Sequence, residues 1–204
     1  HLYKEGMTLI EESTHKKIAN RLKSLSFKRS NGGSAGNALS CIAALGGDAS
    51  FVGRIGADEN GAFYEAESKQ RGVKFIPLRD PSLPTGVANT FISDGGLRTF
   101  ATYLGAAALL EAKHLDAAMP QDVDYVFIEG YLVQNHELIE RAVELSHQRG
   151  AKVCLDLASW NIVESEHAFF ERLLPNIDIV FANEDEARAM TGRIGEEAAR
   201  LLAQ

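Results

Sequence analysis

Apolar positions along this chain follow two different periods, and the change from one to the other predicts where strands end and helices begin. Compact apolar runs, typical of buried strands, occupy 49–55, 73–78, 125–128, 152–155 and 177–182. Most of these runs are followed by a stretch in which apolar residues recur every three or four positions, the spacing of one helical face. Strands that alternate with helices over these lengths predict parallel pairing with right-handed crossovers.

Glycine and proline delimit the predicted helices. The helix over 136–149 ends before Gly150, and its apolar face consists of Leu138, Ile139, Ala142, Val143 and Leu145. A helix near 168–174 stops at Pro175, and one over 62–69 ends at Gly72. At the start of the chain, a short strand precedes a helix that runs through Leu22.

Two β-rich runs between positions 84 and 104 flank the turn sequence Asp-Gly-Gly at 94–96. Such a pattern predicts an antiparallel hairpin. It is compatible with an edge hairpin of the main sheet or with a separate small β element, and the residue types do not decide between them. Arg98, beside the turn, is a candidate partner for an acidic substrate group or an ordinary exposed hairpin arginine.

A glycine-rich stretch begins at Asn31 and leads into a predicted helix that ends at Gly46. Gly32 and Gly33 let the backbone adopt positive φ, and Ser34 is a good N-cap. Asn37 would lie in the first turn, where free N–H groups and the helix dipole favour oxygen-rich ligands. The stretch is therefore either a ligand cradle or a tight turn into a buried helix. It matches neither the P-loop nor the G-x-G-x-x-G spacing.

Charge and composition narrow the class of partner. The net charge of -7 and the pI near 5.4, without a basic run, argue against nucleic acids and anionic membranes and favour a small-molecule ligand. Cys41 and Cys154 indicate neither a disulfide framework nor a zinc site, so we expect a cytoplasmic protein. No stretch has the length of a membrane span.

Acidic residues follow three of the predicted parallel strands, at Glu129, Asp156 and 183–186. Ligands of open α/β sheets bind at this carboxyl edge. Asn183 and Glu186 are three residues apart on a predicted helix, so their amide and carboxylate are placed to hold a hydrated divalent cation such as Mg²⁺. The same spacing is typical of a capping box, and acids at strand ends are common helix caps.

Glycine-containing motifs recur between positions 32 and 73, namely Gly-Gly-Ser-Ala-Gly-Asn at 32–37, Ala-Leu-Gly-Gly at 44–47, Phe-Val-Gly-Arg-Ile-Gly-Ala-Asp at 51–58, Gly61 and Arg-Gly-Val at 71–73. In this order they closely resemble the first signature of the ribokinase-like (PfkB) family of carbohydrate and nucleoside kinases. The resemblance implies a three-layer α/β sandwich with a mainly parallel sheet and a small β lid. Residues 1–204 would form part of such a kinase domain, with 84–104 contributing to the lid.

The resemblance also implies an activity, namely transfer of the γ-phosphoryl group of ATP to a hydroxyl of a sugar, sugar acid or nucleoside, with ATP and Mg²⁺ as cofactors. Gly32, Gly33 and Asn37 match the positions that contact substrate hydroxyls in the family. The sequence around 98–107 looks like that of the adenosine-kinase-like branch. A nucleoside therefore stays among the substrates that the resemblance implies. A homodimer formed through the β lid is a further expectation.

Three further residues are carried over from the family. Asn183 and Glu186 match the N-x-x-E motif, which helps to organise magnesium and phosphate. Glu129 is a weaker match, placed near the sugar site by topology.

The family takes its catalytic base and anion hole from a second signature, Gly-Ala-Gly-Asp, which this sequence does not contain. We therefore expect the catalytic base to lie outside this chain, the C-terminal part of the fold to be lacking, and residues 1–204 alone not to catalyse phosphoryl transfer at a useful rate. A non-catalytic sugar- or nucleoside-binding protein is the alternative. A nicotinamide-dependent oxidoreductase is disfavoured by the glycine spacing.

Overall fold

The computed structural model describes residues 7–203, which fall into two compact units that divide after Leu110. The first six residues and Gln204 of the predicted 1–204 domain lie outside the described residues. Each unit combines helices with parallel strand pairs, so the predicted α/β class is confirmed. Among residues 7–203, no helix combines the length and the apolar character that crossing a bilayer requires.

The first unit contains strands and helices that follow the predicted order. They are β1 (Met7–Leu9), α1 (Glu12–Leu22), α2 (Ser34–Ala44), β2 (Ala49–Gly56), α3 (Glu59–Gln70), β3 (Val73–Asp80), β4 (Val87–Ile92) and β5 (Arg98–Tyr103). Strands β2 and β3 pair in parallel along their whole length, and α2 and α3 pack against them. Phe51, Tyr64 and Phe75 form an aromatic cluster between α3 and this sheet.

The predicted hairpin is confirmed as β4 and β5, which pair antiparallel. Its turn places Gly95 and Gly96 at φ values of 91° and 80°, a region that glycine enters without steric cost. On its other side β5 pairs in parallel with β1, giving the order β1-β5-β4. The hairpin is thus part of a three-stranded sheet with β4 at its edge, and its role as a lid stays a prediction.

Hydrogen bonds to Thr85 join three parts of the first unit. The hydroxyl donates to Asp58 Oδ1 (2.6 Å) and accepts from the N–H of Gly56 (3.0 Å), while the Thr85 N–H donates to Asp58 Oδ2 (2.8 Å). Asp58 also caps α3 by accepting from the N–H of Gly61. Burial raises the pKa of Asp58, but these hydrogen bonds outweigh burial and hold the pKa below its ordinary value.

Arg54 and Asp80 form a second internal link, with 2.7 Å between Nη2 and Oδ2. Asp80 also accepts from the N–H groups of Leu83 and Ser82 and from the Ser82 hydroxyl. The N–H of Leu83 and the Arg54 guanidinium hold the pKa of Asp80 well below its usual range. Within the signature over 51–58, Arg54 and Asp58 therefore stabilise the fold of the first unit.

The second unit contains a parallel sheet of three strands with helices around it. Its elements are α4 (Ala112–Ala118), β6 (Tyr125–Glu129), α5 (His136–Gln148), β7 (Lys152–Asp156), α6 (Trp160–Ser165), α7 (His167–Leu173), β8 (Ile179–Phe181), α8 (Glu184–Thr191) and α9 (Gly195–Leu202). The strand order is β6-β7-β8. Since β7 lies in the centre, its residues Val153, Cys154 and Leu155 are all buried.

The core of the second unit lies between this sheet and its helices. Val133, Ile139, Val153, Leu155, Leu157, Val163 and Phe170 are fully buried within it. The apolar face of α5 points to the core as predicted, with Leu138, Ile139, Val143 and Leu145 buried. This packing fixes the strands and hence the positions of the loops that follow them.

Candidate functional site

The glycine-rich stretch forms the entry to α2, and one detail of its prediction is wrong. Gly33, not Ser34, is the N-cap of α2, and Ser34 is the first helical residue. The physical reason is the backbone, because Gly33 has φ 93° and ψ 145°, a conformation that disfavours every residue with a Cβ. Nothing lies within 4 Å of the position where a Cβ of Gly32 would stand. The loop therefore leaves open space at Gly32.

Asn37 lies in the first turn of α2 as predicted, and it is exposed. Its own N–H closes the first helical hydrogen bond by donating to the Gly33 carbonyl at 3.1 Å. At any helix N-terminus the first N–H groups point away from the helical hydrogen-bond ladder. Gly32, Gly33 and Asn37 thus lie together at the same end of α2.

The predicted alignment of acids at one sheet edge is confirmed for the second unit. Glu129, the last residue of β6, lies opposite Asp156, the last residue of β7, and Asp156 lies opposite Phe181 at the end of β8. Asn183 follows β8 two residues later and caps α8. Parallel pairing in this register brings Glu129, Asp156 and the start of α8 to the same carboxyl edge.

The turn after β7 departs from ordinary backbone geometry at Ala158, which has φ 68°. This is the only residue other than glycine with positive φ among residues 7–203. Its N–H donates to Oδ1 of Asp156 at 3.1 Å, which fixes that carboxylate at the strand end. On the β6 side, a methyl group at Gly130 would collide with the backbone oxygen of Asp156. The two turns are therefore packed directly against each other.

Tyr131 reports on the charge at this edge. Burial raises the pKa of its phenol above the ordinary value, and the negative charges of Glu129, Glu186 and Asp156 raise it further, while a hydrogen bond with Ser159 acts in the opposite direction. The half-buried Tyr131 hydroxyl is thus close enough to all three carboxylates for their charges to raise its pKa. Tyr131 and Ser159 lie two and three residues after the predicted acids Glu129 and Asp156, but nothing in the residue pattern assigned them a role.

Asn183 and Glu186 form a reciprocal capping box at the start of α8. The Glu186 carboxylate accepts from the Asn183 N–H (2.9 Å) and from the Asn183 side-chain amide (2.7 Å), and the Glu186 N–H donates to Asn183 Oδ1 (3.0 Å). The capping box that the spacing predicted is therefore present. A carboxylate has further lone pairs, so the capping role leaves a ligand role open.

Glu186 is more deeply buried than a capping residue needs to be, with 4% of its surface exposed. This burial raises its pKa above the ordinary value, and the charges of Asp156 and Asp185 raise it further, against the hydrogen bonds from Asn183. A cation bound beside Glu186 would relieve this electrostatic cost. Within 7–203, however, no cluster of three or more His, Cys, Asp or Glu side chains has the arrangement of a metal site.

Arg98, which the sequence offered as a candidate partner for an acidic substrate group, lies on the surface, and so does Trp160. Arg98 is exposed, and its guanidinium lies 5.9 Å from the centre of the Phe100 ring, which is a cation–π contact within one strand. Trp160 is 52% exposed and lines a surface cavity of about 180 Å³ together with Asp185 and Arg188.

The family model described as pfkB family carbohydrate kinase matches residues 7–204. The adenosine kinase of Schizophyllum commune is 32% identical over 160 residues, which cover 75% of this chain and 46% of that enzyme. Adenosine kinase 2 of Arabidopsis thaliana is 29% identical over 150 residues, or 71% of this chain and 43% of that enzyme. The chain thus spans less than half the length of these relatives.

Solved structures give the same result for the fold. A probable sugar kinase protein from Rhizobium etli CFN 42 matches with a TM-score of 0.89 and 29% identity, over 99% of this chain and 63% of that chain. Adenosine kinase from Sinorhizobium meliloti matches with a TM-score of 0.85 and 28% identity, over 98% and 63%. The predicted ribokinase-like fold class is confirmed, and these relatives support the adenosine-kinase-like branch.

Proposed function

This chain belongs to the pfkB family of carbohydrate kinases, and on that premise we propose that the protein transfers the γ-phosphoryl group of ATP to a hydroxyl of a sugar, sugar acid or nucleoside. The observation that carries the proposal is the family match over residues 7–204. The adenosine kinases among the relatives favour a nucleoside within that range. Because the chain spans only part of those proteins, activity, substrate and cofactors all belong to the proposal.

The substrate hydroxyls bind at the entry to α2 in this proposal. Gly32 and Gly33 leave the backbone accessible, and Asn37 presents an exposed amide that both donates and accepts hydrogen bonds. The N-terminal end of a helix also favours oxygen-rich ligands, because the helix dipole is positive there. Glu129 is proposed as a further group for a substrate hydroxyl, since a carboxylate accepts hydrogen bonds from such groups.

Mg²⁺ and the phosphates of ATP are assigned to Asn183 and Glu186. Oxygen donors beside the charge of Asp156 suit a hard divalent cation. Burial and neighbouring negative charges raise the pKa of Glu186, so a bound cation would stabilise its ionised form. Because few protein carboxylates converge there, such a cation would keep most of its waters or take phosphate oxygens, as Mg²⁺ usually does. The bound cation would supply charge neutralisation at the transferring phosphoryl group.

A non-catalytic sugar- or nucleoside-binding protein is the second candidate. The observation in its favour is the exposed loop at Gly32 and Gly33, which has open space at Gly32 and suits ligand binding whether or not phosphoryl transfer follows. Such a protein would keep the loop at Gly32 and Gly33 and bind its ligand without any effect of nucleotide.

Equilibrium binding separates the two candidates. The complete gene product that contains residues 1–204 is titrated by calorimetry with adenosine, ribose, fructose and gluconate, each with and without Mg²⁺ and a non-hydrolysable ATP analogue. The kinase proposal predicts saturable binding of at least one alcohol ligand and a change in its affinity when nucleotide is present. Ligand binding that is indifferent to nucleotide favours the second candidate, and no binding of any alcohol contradicts both.

Two further expectations join the proposal. The exposed side chains of β4, Ala88, Thr90 and Ile92, form the face through which a lid-mediated homodimer would assemble. Light scattering during gel filtration tests the proposed dimer, with the substitution Ile92→Lys expected to dissociate it.

A location in the reducing cytoplasm is proposed from the sequence alone.

A further inference from the structure

The segment that connects α1 to α2 lies on the surface of α3 and is held there by two residues. Arg29 donates to Glu59 at 3.0 Å, and its guanidinium lies 5.2 Å from the centre of the Phe63 ring. Two residues later, Asn31 makes its own set of contacts with α3. This connecting segment contains no helix or strand between 26 and 33, so side-chain contacts of this kind determine its path.

Asn31 is bound to α3 through both its backbone and its side chain. The N–H of Asn31 donates to Glu67 Oε2 at 2.6 Å, and Nδ2 donates to the Tyr64 carbonyl at 2.8 Å and to the Ser68 hydroxyl at 2.9 Å. Three hydrogen bonds from one residue to one helix fix its position and the direction of the chain that leaves it.

The chemistry of these partners defines the orientation of the amide. A backbone carbonyl only accepts, so the atom of Asn31 that faces Tyr64 is the donor Nδ2. The Ser68 hydroxyl already donates to the same carbonyl at 2.7 Å, and it therefore accepts from Nδ2. On the other side, Glu67 forms an ion pair with Arg71, which holds the carboxylate in place for the Asn31 N–H.

The two glycines that follow have no comparable support. Both are exposed, nothing lies within 4 Å of the Cβ position of Gly32, and Gly33 has φ 93°. Glycine is the residue with the greatest backbone freedom, so a pair of them is held in place only from its two ends. One end is the first turn of α2, and the other end is Asn31.

We propose that Asn31 is a positioning residue that anchors the start of the Gly32–Gly33 loop to α3 and so preorganises the loop for a hydroxyl-bearing ligand. The inference rests on the proposed function for the identity of the ligand, but the anchoring itself does not depend on it. Asn31 acts through the loop and does not touch the ligand. If the anchor is lost and the loop spends only about a tenth of its time in the binding conformation, the apparent affinity falls about tenfold.

Loop order is measured first, in the full chain without any ligand. In Asn31→Asp, which keeps the size of the side chain but replaces the Nδ2 donor with an acceptor, the ¹⁵N order parameters of Gly32 and Gly33 should fall from about 0.85 to below about 0.6. Order parameters in α3 and in the rest of α2 should not change. Ser68→Ala removes a single acceptor of Nδ2, and we expect a smaller decrease at the same two glycines.

Arg29→Ala is the matched control, because it releases the same segment from the same helix two residues before the anchor. It should leave both the glycine order parameters and ligand affinity unchanged. If Arg29→Ala loosens the glycines as much as Asn31→Asp does, or if Asn31→Asp and Ser68→Ala both leave them rigid, the assignment of Asn31 is overturned.

Ligand affinity is measured second, with the alcohol that the wild-type protein binds best. Asn31→Asp should weaken its binding about tenfold, while its affinity for the ATP analogue stays close to that of the wild type. If the wild-type protein binds no alcohol yet the glycines loosen as expected, the proposed function fails and the anchor stands. If the wild-type protein binds an alcohol but Gly32 and Gly33 stay rigid in Asn31→Asp, the anchor fails and the proposed function stands.

Discussion

Both carboxylate oxygens of Glu186 accept hydrogen bonds from Asn183, one from its backbone N–H at 2.9 Å and one from its side-chain amide at 2.7 Å. This arrangement caps α8 and also fixes the orientation of a buried carboxylate at the carboxyl edge of the β6-β7-β8 sheet. Since Asp156 contributes negative charge to the same place, the capping box holds Glu186 in an environment that favours a cation. The structural and the proposed functional roles of the pair are therefore compatible.

The substitution Glu186→Gln tests the cation role. It retains most of the side-chain volume but removes the charge, so Mg²⁺ affinity or Mg²⁺-dependent activity should fall about 10- to 100-fold, the usual effect of changing a group that supports a bound metal. Titration of activity against Mg²⁺ concentration measures it. Glu184→Gln is the matched control, because it removes the same charge from an exposed position of the same helix. Equal losses in the two variants would contradict the assignment.

The stability of the second unit should depend on pH through Glu186. Burial and neighbouring charges raise its pKa in the folded protein above the ordinary 4.5. The folded state then binds the proton more tightly than the unfolded chain, so the stabilisation is fully present below pH 4.5 and is lost as the pH rises through the raised pKa. The thermal midpoint of wild type minus that of Glu186→Gln should therefore decrease between about pH 4 and about pH 8. A difference that does not vary with pH would contradict the buried charge.

Thr85 is predicted to be a structural residue of the first unit. In Thr85→Val the shape is kept, but the Gly56 N–H loses its acceptor and Asp58 loses a donor, so the free energy of unfolding should fall by about 1–3 kcal/mol. Urea denaturation measures the change. Thr14→Val on the exposed surface of α1 is the matched control and should change stability by less than about 0.5 kcal/mol. If the two variants were equally stable, the role of Thr85 would be refuted.

Gly130 is predicted to tolerate no side chain. A Cβ there would collide with the backbone oxygen of Asp156, so Gly130→Ala should lower the free energy of unfolding by about 1–3 kcal/mol and displace the turn after β7. Circular dichroism during urea denaturation gives the stability. Gly150→Ala is a useful comparison, because no atom lies within 4 Å of its Cβ position and its cost comes from φ 72° alone. A Gly130→Ala protein as stable as wild type would show that the two turns are not packed as described.

The sequence was sufficient to predict the carboxyl edge of the second unit. Glu129 and Asp156 each end an apolar run. Because the two strands pair in parallel, these residues lie side by side. The spacing of Asn183 and Glu186 likewise predicted their mutual contact, although it did not distinguish a cap from a ligand pair. These are local patterns, in which residue type and spacing carry the information.

Features that depend on distant parts of the chain could not be predicted. Asn31 contacts Tyr64 and Ser68, more than 30 positions later, and nothing in the residues around 31 indicates that partner. The short helices α4, α6 and α9 also escaped prediction. The N-cap at Gly33 was missed for another reason, since a preference for serine at N-caps was outweighed by a backbone conformation that favours glycine.

Phosphoryl transfer by the complete gene product that contains residues 1–204 tests the central claim most directly. The protein is incubated with γ-labelled ATP, Mg²⁺ and, in turn, adenosine, ribose, fructose and gluconate, and the labelled products are separated and identified by mass. The account predicts Mg²⁺-dependent formation of a phosphate ester on one of these alcohols, reduced at least about tenfold in Glu186→Gln. Saturable binding of the alcohol without any transfer of label, at any Mg²⁺ concentration, would contradict it and favour the non-catalytic binding protein.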